Sequence, residues 1–331
     1  PVVGDIKMNA LRMLDLINEA HEIGAHLIVF PELAITGYPP EDLLFRDGFI
    51  KQVNNEISNL CNQVPSAITI LFGAPSQSND SLFNSAYCIQ SNRVIHIYNK
   101  QELPNYGVFD EKRYFTSGDE SFVFECQQTK VGVLICEDQW VDGPIDRLCQ
   151  SNVDVIVSLN ASPFQIDKQN QRIDICKHFA LKFDLSFIYV NMVGGQDEVV
   201  FDGNSFVIDN LGELTVQLPA FKELSSLHNS NVYLPSILTE EESIYSALVL
   251  ATRDYIQKNS FGGALIGLSG GIDSALTLAI AADAIGSENV HAVMMPYQFT
   301  SDMSLEDSEL QARNQGVQFS NIDIHSMVDS F

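Results

Sequence analysis

Basic residues are scarce in this sequence, which has 18 Lys and Arg against 43 Asp and Glu and a formal net charge of −25. Nucleic acids and anionic membrane surfaces are both bound through clustered Lys and Arg side chains. The composition therefore argues against either as a partner. A small anionic ligand is still compatible with it, because backbone N–H groups can hold an anion against an unfavourable net charge.

Long apolar runs and paired cysteines are also missing. No apolar stretch approaches the ~20 residues that a transmembrane helix requires. The cysteines form no C-x-x-C pair and no Cys/His cluster with metal-binding spacing; they stand at 61, 88, 126, 136, 149 and 176. Isolated cysteines in a chain of this length are typical of reduced thiols, so we expect a cytoplasmic protein.

The length of 331 residues exceeds the ~100–200 of an average domain, so the sequence predicts two domains. Alternating strand and helix patterns indicate that both are α/β. We predict a first domain over 1–222, a linker of low periodicity over 223–239 and a second α/β unit over 240–331. The second unit is small for its type and the first residue is Pro1 rather than Met, so we expect the chain to be truncated.

Hydrophobic periodicity gives the individual elements of both domains. The predicted strands are 26–30, 68–72, 86–90, 94–98, 131–136, 153–159, 187–193, 264–268, 290–295 and 319–324. The predicted helices are 5–24, 42–64, 168–183, one that begins at Glu240, and 274–285.

Three polar residues stand just past predicted strands, where α/β sheets bind ligands. They are Glu32, Lys100 and Cys136. A thiol is a good nucleophile only as the thiolate, so it needs a base or a nearby cation. A carboxylate can take the thiol proton and later activate water, and a lysine with the backbone N–H after the cysteine can stabilise an oxyanion. Taken alone, a cysteine at a strand end is more often a packing residue than a catalytic one, and the other two are compatible with surface positions.

Longer motifs around these residues carry a resemblance to a family. Phe30-Pro-Glu-Leu with Gly37-Tyr-Pro-Pro, Lys100-Gln-Glu-Leu-Pro and Leu134-Ile-Cys-Glu-Asp resemble the nitrilase, or carbon–nitrogen hydrolase, superfamily over roughly residues 1–220. The resemblance implies a four-layer αββα sandwich and a Glu–Lys–Cys triad made of Glu32, Lys100 and Cys136. The family usually opens with a strand before Gly4, which this sequence lacks.

Two further motifs are similar to the glutaminase branch of that family, Pro104-Asn-Tyr-Gly-Val-Phe-Asp-Glu and Asn160-Ala-Ser-Pro-Phe. The likeness implies that glutamine is held by Tyr38, Tyr106, Glu137 and Ser162, with Lys168 as the partner of its carboxylate. Core or rim packing is the alternative for the two tyrosines. Glu111 is either an additional carboxylate of the active site or an exposed acid in a loop.

A second motif, Ser269-Gly-Gly-Ile-Asp-Ser, lies between a predicted strand and a predicted helix. Glycines let the backbone turn tightly and present N–H groups to a phosphate, and the helix N-terminus adds its dipole. The serine hydroxyls can donate, and the aspartate can reach Mg²⁺. A plain Gly turn is the alternative. The full string resembles the loop of the ATP-pyrophosphatase enzymes of the adenine-nucleotide α-hydrolase type, which implies a Rossmann-like parallel fold and an ATP site at Ser269, Gly270, Gly271, Asp273 and Ser274.

Residues 295–307 are similar to a second motif of NAD synthetases. A nitrilase-type glutaminase joined to this ATP loop resembles the glutamine-dependent NAD⁺ synthetase family. The resemblance implies glutamine, ATP and deamido-NAD⁺ as substrates, Mg²⁺ at Asp273, and a homo-oligomer. Two alternatives stay open: a stand-alone nitrilase-type amidase whose C-terminal segment is non-functional, and, if the native chain ends at Phe331, a glutaminase or assembly partner without synthetase activity.

Overall fold

The computed structural model describes residues 1–228 and 233–331 and divides the chain into two compact units. The first comprises 1–194 and 201–237, and the second comprises 195–200 and 238–331. Positions 229–232 of the predicted linker lie outside the described residues.

Two sheets form the centre of the first unit. The strands up to residue 217 are, in chain order, β1 (Leu27–Val29), β2 (Thr69–Ser78), β3 (Ser81–Gln90), β4 (Arg93–Asn99), β5 (Phe122–Cys126), β6 (Thr129–Ile135), β7 (Val155–Asn160), β8 (Ser186–Asn191), β9 (Val193–Gln196), β10 (Val199–Asp202), β11 (Phe206–Ile208) and β12 (Leu214–Gln217). A four-stranded sheet has the order β1-β2-β3-β4, and a six-stranded sheet has the order β12-β11-β8-β7-β6-β5. In this unit β1 pairs with β2, β6 with β7 and β7 with β8 in parallel. Strands β9 and β10 pair with each other.

Helices cover the outer face of each sheet. They are α1 (Ile6–Glu22), α2 (Phe49–Gln63), α3 (Asp142–Cys149) and α4 (Lys168–Phe183). Successive side chains of a strand point to opposite faces, so Leu71 lies between the two sheets while Ile70 and Phe72 face the other way. Helices α3 and α4 pack on the six-stranded sheet through Leu148 and Phe179. The result is the αββα sandwich that the resemblance implied.

Two sequence predictions need correction here. The helical pattern predicted over 42–64 is two elements, a 3₁₀ turn at Glu41–Phe45 and then α2. Gly48, which immediately precedes α2, has a φ of +82°, which takes the chain out of helical geometry between them. Strand β5 was not predicted, because its alternating pattern is short and lies at the edge of the sheet. Helix α4 has the predicted bounds.

The second unit is built on a parallel three-stranded sheet. Its elements are α5 (Glu240–Lys258), β13 (Ala264–Gly267), α6 (Ile272–Ile285), β14 (Val290–Met294), α7 (Asp302–Gln315), β15 (Gln318–Asn321) and α8 (His325–Val328). The strands have the order β13-β14-β15. Helix α5 begins at a capping box, because the Thr239 hydroxyl accepts from the Glu242 N–H and the Glu242 carboxylate accepts from the Thr239 N–H.

A buried ion pair holds the loop that follows β7. Arg172 on α4 is fully buried, and its Nη1 donates to both carboxylate oxygens of Asp202 at 2.9 Å. Its Nη2 donates to the carbonyl oxygens of Ser162 and Pro163 at 2.8 and 2.9 Å. Because the guanidinium binds both the carboxylate and the loop, removing it leaves Asp202 as a buried charge without its cation and the Pro163 carbonyl without this donor.

We expect Arg172→Met to lower the free energy of unfolding of the first unit by about 3–5 kcal/mol, the cost of leaving one partner of a buried ion pair alone. The sequence contains a single tryptophan, Trp140, so urea unfolding followed by tryptophan fluorescence reports on this unit. Lys182→Met is the control, because Lys182 pairs with Asp146 at the surface and should change little. A loss below about 1 kcal/mol in Arg172→Met would contradict the assignment.

Candidate active site

The structure brings the three predicted residues of the first site together in the interior. Glu32 follows β1, Lys100 directly follows β4 and Cys136 directly follows β6. Their exposed fractions are 1%, 1% and 5%. The Lys100 Nζ donates to the Glu32 Oε1 at 2.8 Å, and the Cys136 thiol interacts electrostatically with both charged groups. The site is therefore a buried thiol beside an ion pair.

The Glu32 carboxylate is held in one orientation by three donors. Its Oε1 accepts from the Asn84 Nδ2 at 2.7 Å as well as from Lys100, and its Oε2 accepts from the Ala161 N–H at 2.9 Å. These contacts fix the position of the Glu32 carboxyl group within the cluster, as a general base requires.

Lys100 is shared between two carboxylates. Its Nζ also donates to the Glu111 Oε1 at 2.9 Å. Burial lowers the pKa of Lys100, but the carboxylates of Glu111 and Glu32 together outweigh it, so the pKa lies well above its ordinary value. The side chain is consequently an ammonium at neutral pH, able to stabilise negative charge that develops nearby.

Cys136 begins a 3₁₀ turn that ends at Gln139. Its φ is +44°, a region that non-glycine residues seldom adopt and that is often found at functional sites. Burial raises the pKa of the thiol well above its ordinary value, the Glu32 carboxylate raises it further, and Lys100 opposes the shift. The resting thiol is therefore protonated, and its use as a nucleophile needs proton transfer to a base.

Glu111 is the site residue that the sequence left undecided. It is 4% exposed, so the interpretation as an exposed loop acid is wrong. The Tyr38 hydroxyl donates to its Oε1 at 2.9 Å. Burial raises the pKa of Glu111 to about 7, although Lys100 lowers it. Glu111 lies thirteen residues beyond the predicted strand 94–98, and only the glutaminase-branch motif that ends at it pointed to the active site.

The residues predicted to hold glutamine lie in two places around the triad. Buried Tyr38 contacts Glu111, as described above, while the exposed Tyr106 donates through its hydroxyl to the Glu137 carboxylate at 3.0 and 3.1 Å. Ser162 is buried and its Oγ accepts from the Arg172 Nε at 3.2 Å.

Lys168 lies near the triad and close to the single tryptophan. Its Nζ lies over the Trp140 ring, 4.1 Å from the centroid. Burial and then the charge of Arg172 lower the pKa of Lys168, while Cys136 and Glu137 oppose the shift. Lys168 thus lies in the electrostatic range of both the nucleophile and Glu137, which is compatible with a carboxylate-binding position.

The predicted phosphate loop of the second unit connects β13 to α6. The hydroxyls of Ser269 and Ser274 are 3.0 Å apart, and the Ser269 N–H donates to the Ser274 Oγ at 3.2 Å. Gly270 has a φ of +78°, and a Cβ added there would lie 2.6 Å from the Ser304 carbonyl oxygen. The glycine is therefore required by both conformation and space.

Asp273 occupies the first turn of α6, at the end of this loop, and is exposed. Among residues 1–228 and 233–331, no three His, Cys, Asp or Glu side chains are grouped to hold a metal ion. Asp273 fits Mg²⁺ in the manner usual for nucleotide sites, where one carboxylate is combined with phosphate oxygens and water.

The carbon–nitrogen hydrolase family model matches residues 1–228, the part of the chain that forms the sandwich and carries the triad. The chain belongs to the carbon–nitrogen hydrolase family. The NAD synthase family model matches residues 225–331. This member of the carbon–nitrogen hydrolase family therefore carries a second domain of another family.

Named relatives match the chain across both parts. The chain is 45% identical over its whole length to the glutamine-dependent NAD⁺ synthetase of Acinetobacter baylyi, of which it covers 62%, and 37% identical to that of a Synechocystis strain, of which it covers 64%. It spans less than two thirds of the length of these relatives. The solved glutamine-dependent NAD⁺ synthetase of Acinetobacter baumannii in complex with ADP superimposes with a TM-score of 0.95 at 45% identity, over 100% of this chain and 64% of that one.

An amidase of Nesterenkonia from the nitrilase superfamily shares the fold of the first unit. It is 20% identical and has a TM-score of 0.59, with 66% of this chain and 82% of the amidase aligned. No helix among the described residues is long and apolar enough to cross a bilayer.

The raised pKa of Glu111 predicts a pH dependence of stability. Because the folded pKa of about 7 exceeds that of an ordinary Glu, the folded state binds the proton more tightly. The contribution of Glu111 to stability is therefore present at low pH and lost as the pH rises through about 7. We expect wild type to lose about 1–3 kcal/mol relative to Glu111→Gln between pH 5 and pH 8.

Urea titrations followed at Trp140 measure this difference. Glu125→Gln is the matched control, because Glu125 is an exposed glutamate of the same unit, on β5. If the free energy of unfolding changes with pH in the same way in wild type and Glu111→Gln, the folded state does not bind a proton at Glu111 more tightly, and the prediction is wrong.

Proposed function

We propose that this chain is part of a glutamine-dependent NAD⁺ synthetase. The overall reaction converts deamido-NAD⁺, ATP, glutamine and water into NAD⁺, AMP, pyrophosphate and glutamate. The observation that carries the proposal is one chain in which a buried Glu–Lys–Cys cluster, in a carbon–nitrogen hydrolase sandwich, is followed by a Gly-rich loop in a domain matched by the NAD synthase model. The relatives that contain both parts carry this name.

The first half-reaction releases ammonia from glutamine. Glu32 takes the Cys136 proton, and the thiolate attacks the carboxamide carbon. The resulting oxyanion is held by the Lys100 ammonium and the Glu137 N–H. The tetrahedral intermediate collapses, the C–N bond breaks, and the nitrogen leaves as ammonia with the proton from Glu32. Water then loses a proton to Glu32 and attacks the thioester, which gives glutamate and restores the thiol.

Glutamine is positioned by the residues around the triad. Lys168 pairs with the substrate α-carboxylate, and Glu137 and Tyr106 hold the α-ammonium end from the exposed side. Tyr38 and Ser162 border the carboxamide. The hydrogen bonds of Tyr38 to Glu111 and of Ser162 to Arg172 support this role, because both side chains are already fixed before substrate arrives.

The second half-reaction activates deamido-NAD⁺. Its nicotinate carboxylate attacks the α-phosphorus of ATP, and pyrophosphate leaves. Ammonia then attacks the carboxyl carbon of the adenylate, and AMP leaves. The loop of Ser269, Gly270, Gly271 and Ser274 holds the phosphates through its N–H and hydroxyl groups. Asp273 would hold Mg²⁺, which would neutralise charge on the phosphates.

We further propose the domain limits 1–222 and 240–331 with a linker over 223–239, a homo-oligomeric assembly and a cytoplasmic location. The reduced, unpaired cysteines support the last of these. The family models, which meet at residues 225–228, support a junction near the predicted linker.

The nucleophile is tested by glutamate release from glutamine. We expect Cys136→Ala to lose this activity by about 10⁴-fold or more, because without the thiol the covalent route is closed. Cys61→Ala, a half-buried cysteine on α2 of the same unit, should retain wild-type activity. Glutamate release that survives in folded Cys136→Ala would refute the assignment, and NAD⁺ formation is measured in parallel on the full-length protein.

The ATP loop is tested by a pair of glycine substitutions in the second unit. Gly270→Ala and Gly316→Ala both place a side chain at positive φ, +78° and +68°, but only Gly270 faces an atom within 4 Å, at Ser304. We expect Gly270→Ala to weaken ATP binding at least tenfold by calorimetry on the full-length protein, because the loop must move. Gly316→Ala should bind ATP as wild type does. Equal affinities in both variants would exclude the loop as the phosphate site.

A further inference from the structure

Asp138 is the most completely hydrogen-bonded carboxylate near the triad, yet no step above uses it. It is fully buried in the turn that Cys136 begins. Its Oδ1 accepts from the N–H groups of Gln101 and Glu102 at 2.9 and 2.8 Å. Its Oδ2 accepts from the Tyr98 hydroxyl at 2.8 Å and from the Ile135 N–H at 3.0 Å.

These four donors lie next to two triad residues in the chain. Tyr98 precedes Lys100, and Gln101 and Glu102 follow it, while Ile135 directly precedes Cys136. The carboxylate therefore joins the chain that carries the ammonium to the chain that carries the nucleophile. We propose that Asp138 is a positioning residue that fixes the Cys136 turn relative to Lys100.

The link matters because the two triad residues come from different sheets. Strand β4, which leads to Lys100, belongs to the four-stranded sheet, and β6, which leads to Cys136, belongs to the six-stranded sheet. Ladder hydrogen bonds set register only within a sheet. The position of the thiol relative to the ammonium is thus left to packing between the sheets and to bonds such as those of Asp138.

The turn itself also requires support. Cys136 has a φ of +44°, a conformation that persists only where the surroundings over-determine it. The bond from the Ile135 N–H to the Asp138 carboxylate closes the turn around Cys136. The same carboxylate then holds this closed turn against Gln101 and Glu102.

An ionised carboxylate is the group that these donors need. Burial raises the pKa of Asp138 to about 6, and hydrogen bonds from the Glu102 N–H and the Tyr98 hydroxyl oppose the shift, so the side chain is mainly ionised at neutral pH. Asparagine in its place would keep one oxygen acceptor but would turn an NH₂ donor toward the Ile135 N–H, where two donors would meet. Asp138→Asn therefore loosens one side of the link with almost no change in volume.

Of the two measurements that test the role of Asp138, only glutamate release rests on the proposed function. Alkylation of the Cys136 peptide by iodoacetamide, followed by mass spectrometry, measures nucleophile placement without glutamine. In Asp138→Asn we expect the alkylation rate to fall about tenfold and kcat for glutamate release about 100-fold, because displacements near 1 Å cost that much. KM should stay within about threefold, since the Asp138 carboxylate makes no hydrogen bond to any side chain proposed to bind glutamine.

Asp154→Asn is the matched control. Asp154 accepts from the Lys130 N–H at 2.7 Å near the opposite end of β6, so it also holds a strand by a carboxylate-to-backbone bond. The alkylation rate and kcat of Asp154→Asn should equal those of wild type.

If Asp138→Asn does not fold, as judged by the urea midpoint at Trp140, Tyr98→Phe is tested instead, because it removes one of the four donors. We expect its alkylation rate to fall about threefold.

Folded Asp138→Asn with an alkylation rate and a kcat within twofold of wild type would overturn the proposal. So would an unchanged Tyr98→Phe when Asp138→Asn is unfolded. A wild-type chain that releases no glutamate would count against the proposed function, while the alkylation comparison would still decide the role of Asp138.

Discussion

Lys100 places an ammonium in the interior of the first unit, within 2.9 Å of an oxygen of both Glu32 and Glu111. A charge left alone there would be costly, whereas the two carboxyl groups hold the Lys100 ammonium in its charged form. The raised pKa of Glu111 shows that one cation does not fully offset two buried carboxyls. The thiol of Cys136, whose pKa is raised chiefly by burial, lies beside Glu32, its candidate base. The other contacts of the site serve to keep these groups in place.

The positions of Glu32, Lys100 and Cys136 after strands made them candidates, because the carboxyl ends of strands gather polar side chains, and the family resemblance implied that they form a triad. The sequence also predicted the phosphate loop, whose donors are contiguous in the chain. The burial of Glu111, the links of Asp138 and the pair of Arg172 with Asp202 depend on residues about 30 or more positions apart, or on loops without periodicity. No local pattern encodes such contacts. The error over 42–64 has a local cause, because the conformation of Gly48 divides an otherwise continuous helical pattern.

The two candidate sites differ in how they are assembled. The phosphate loop depends on its own six residues and on the approach of Ser304, so it is a local structure at a helix N-terminus. The triad depends on three separated segments that only the complete sandwich brings together. Substitutions that weaken the sandwich should therefore impair the reactivity of Cys136. The geometry of the phosphate loop depends on residues of the second unit.

The layer between the two sheets, which includes Leu71, Val133 and Leu159, has a consequence for how this domain can change over time. Protein interiors are close-packed and compress little, so the volume of these side chains sets how far apart the two sheets lie. The base and the nucleophile follow strands on opposite sides of that layer. Substitutions that change side-chain volume in this layer therefore alter the distance between Glu32 and Cys136 as well as the packing. Selection for activity should therefore constrain this layer more narrowly than the layers beneath the helices, where the same change in volume costs only stability.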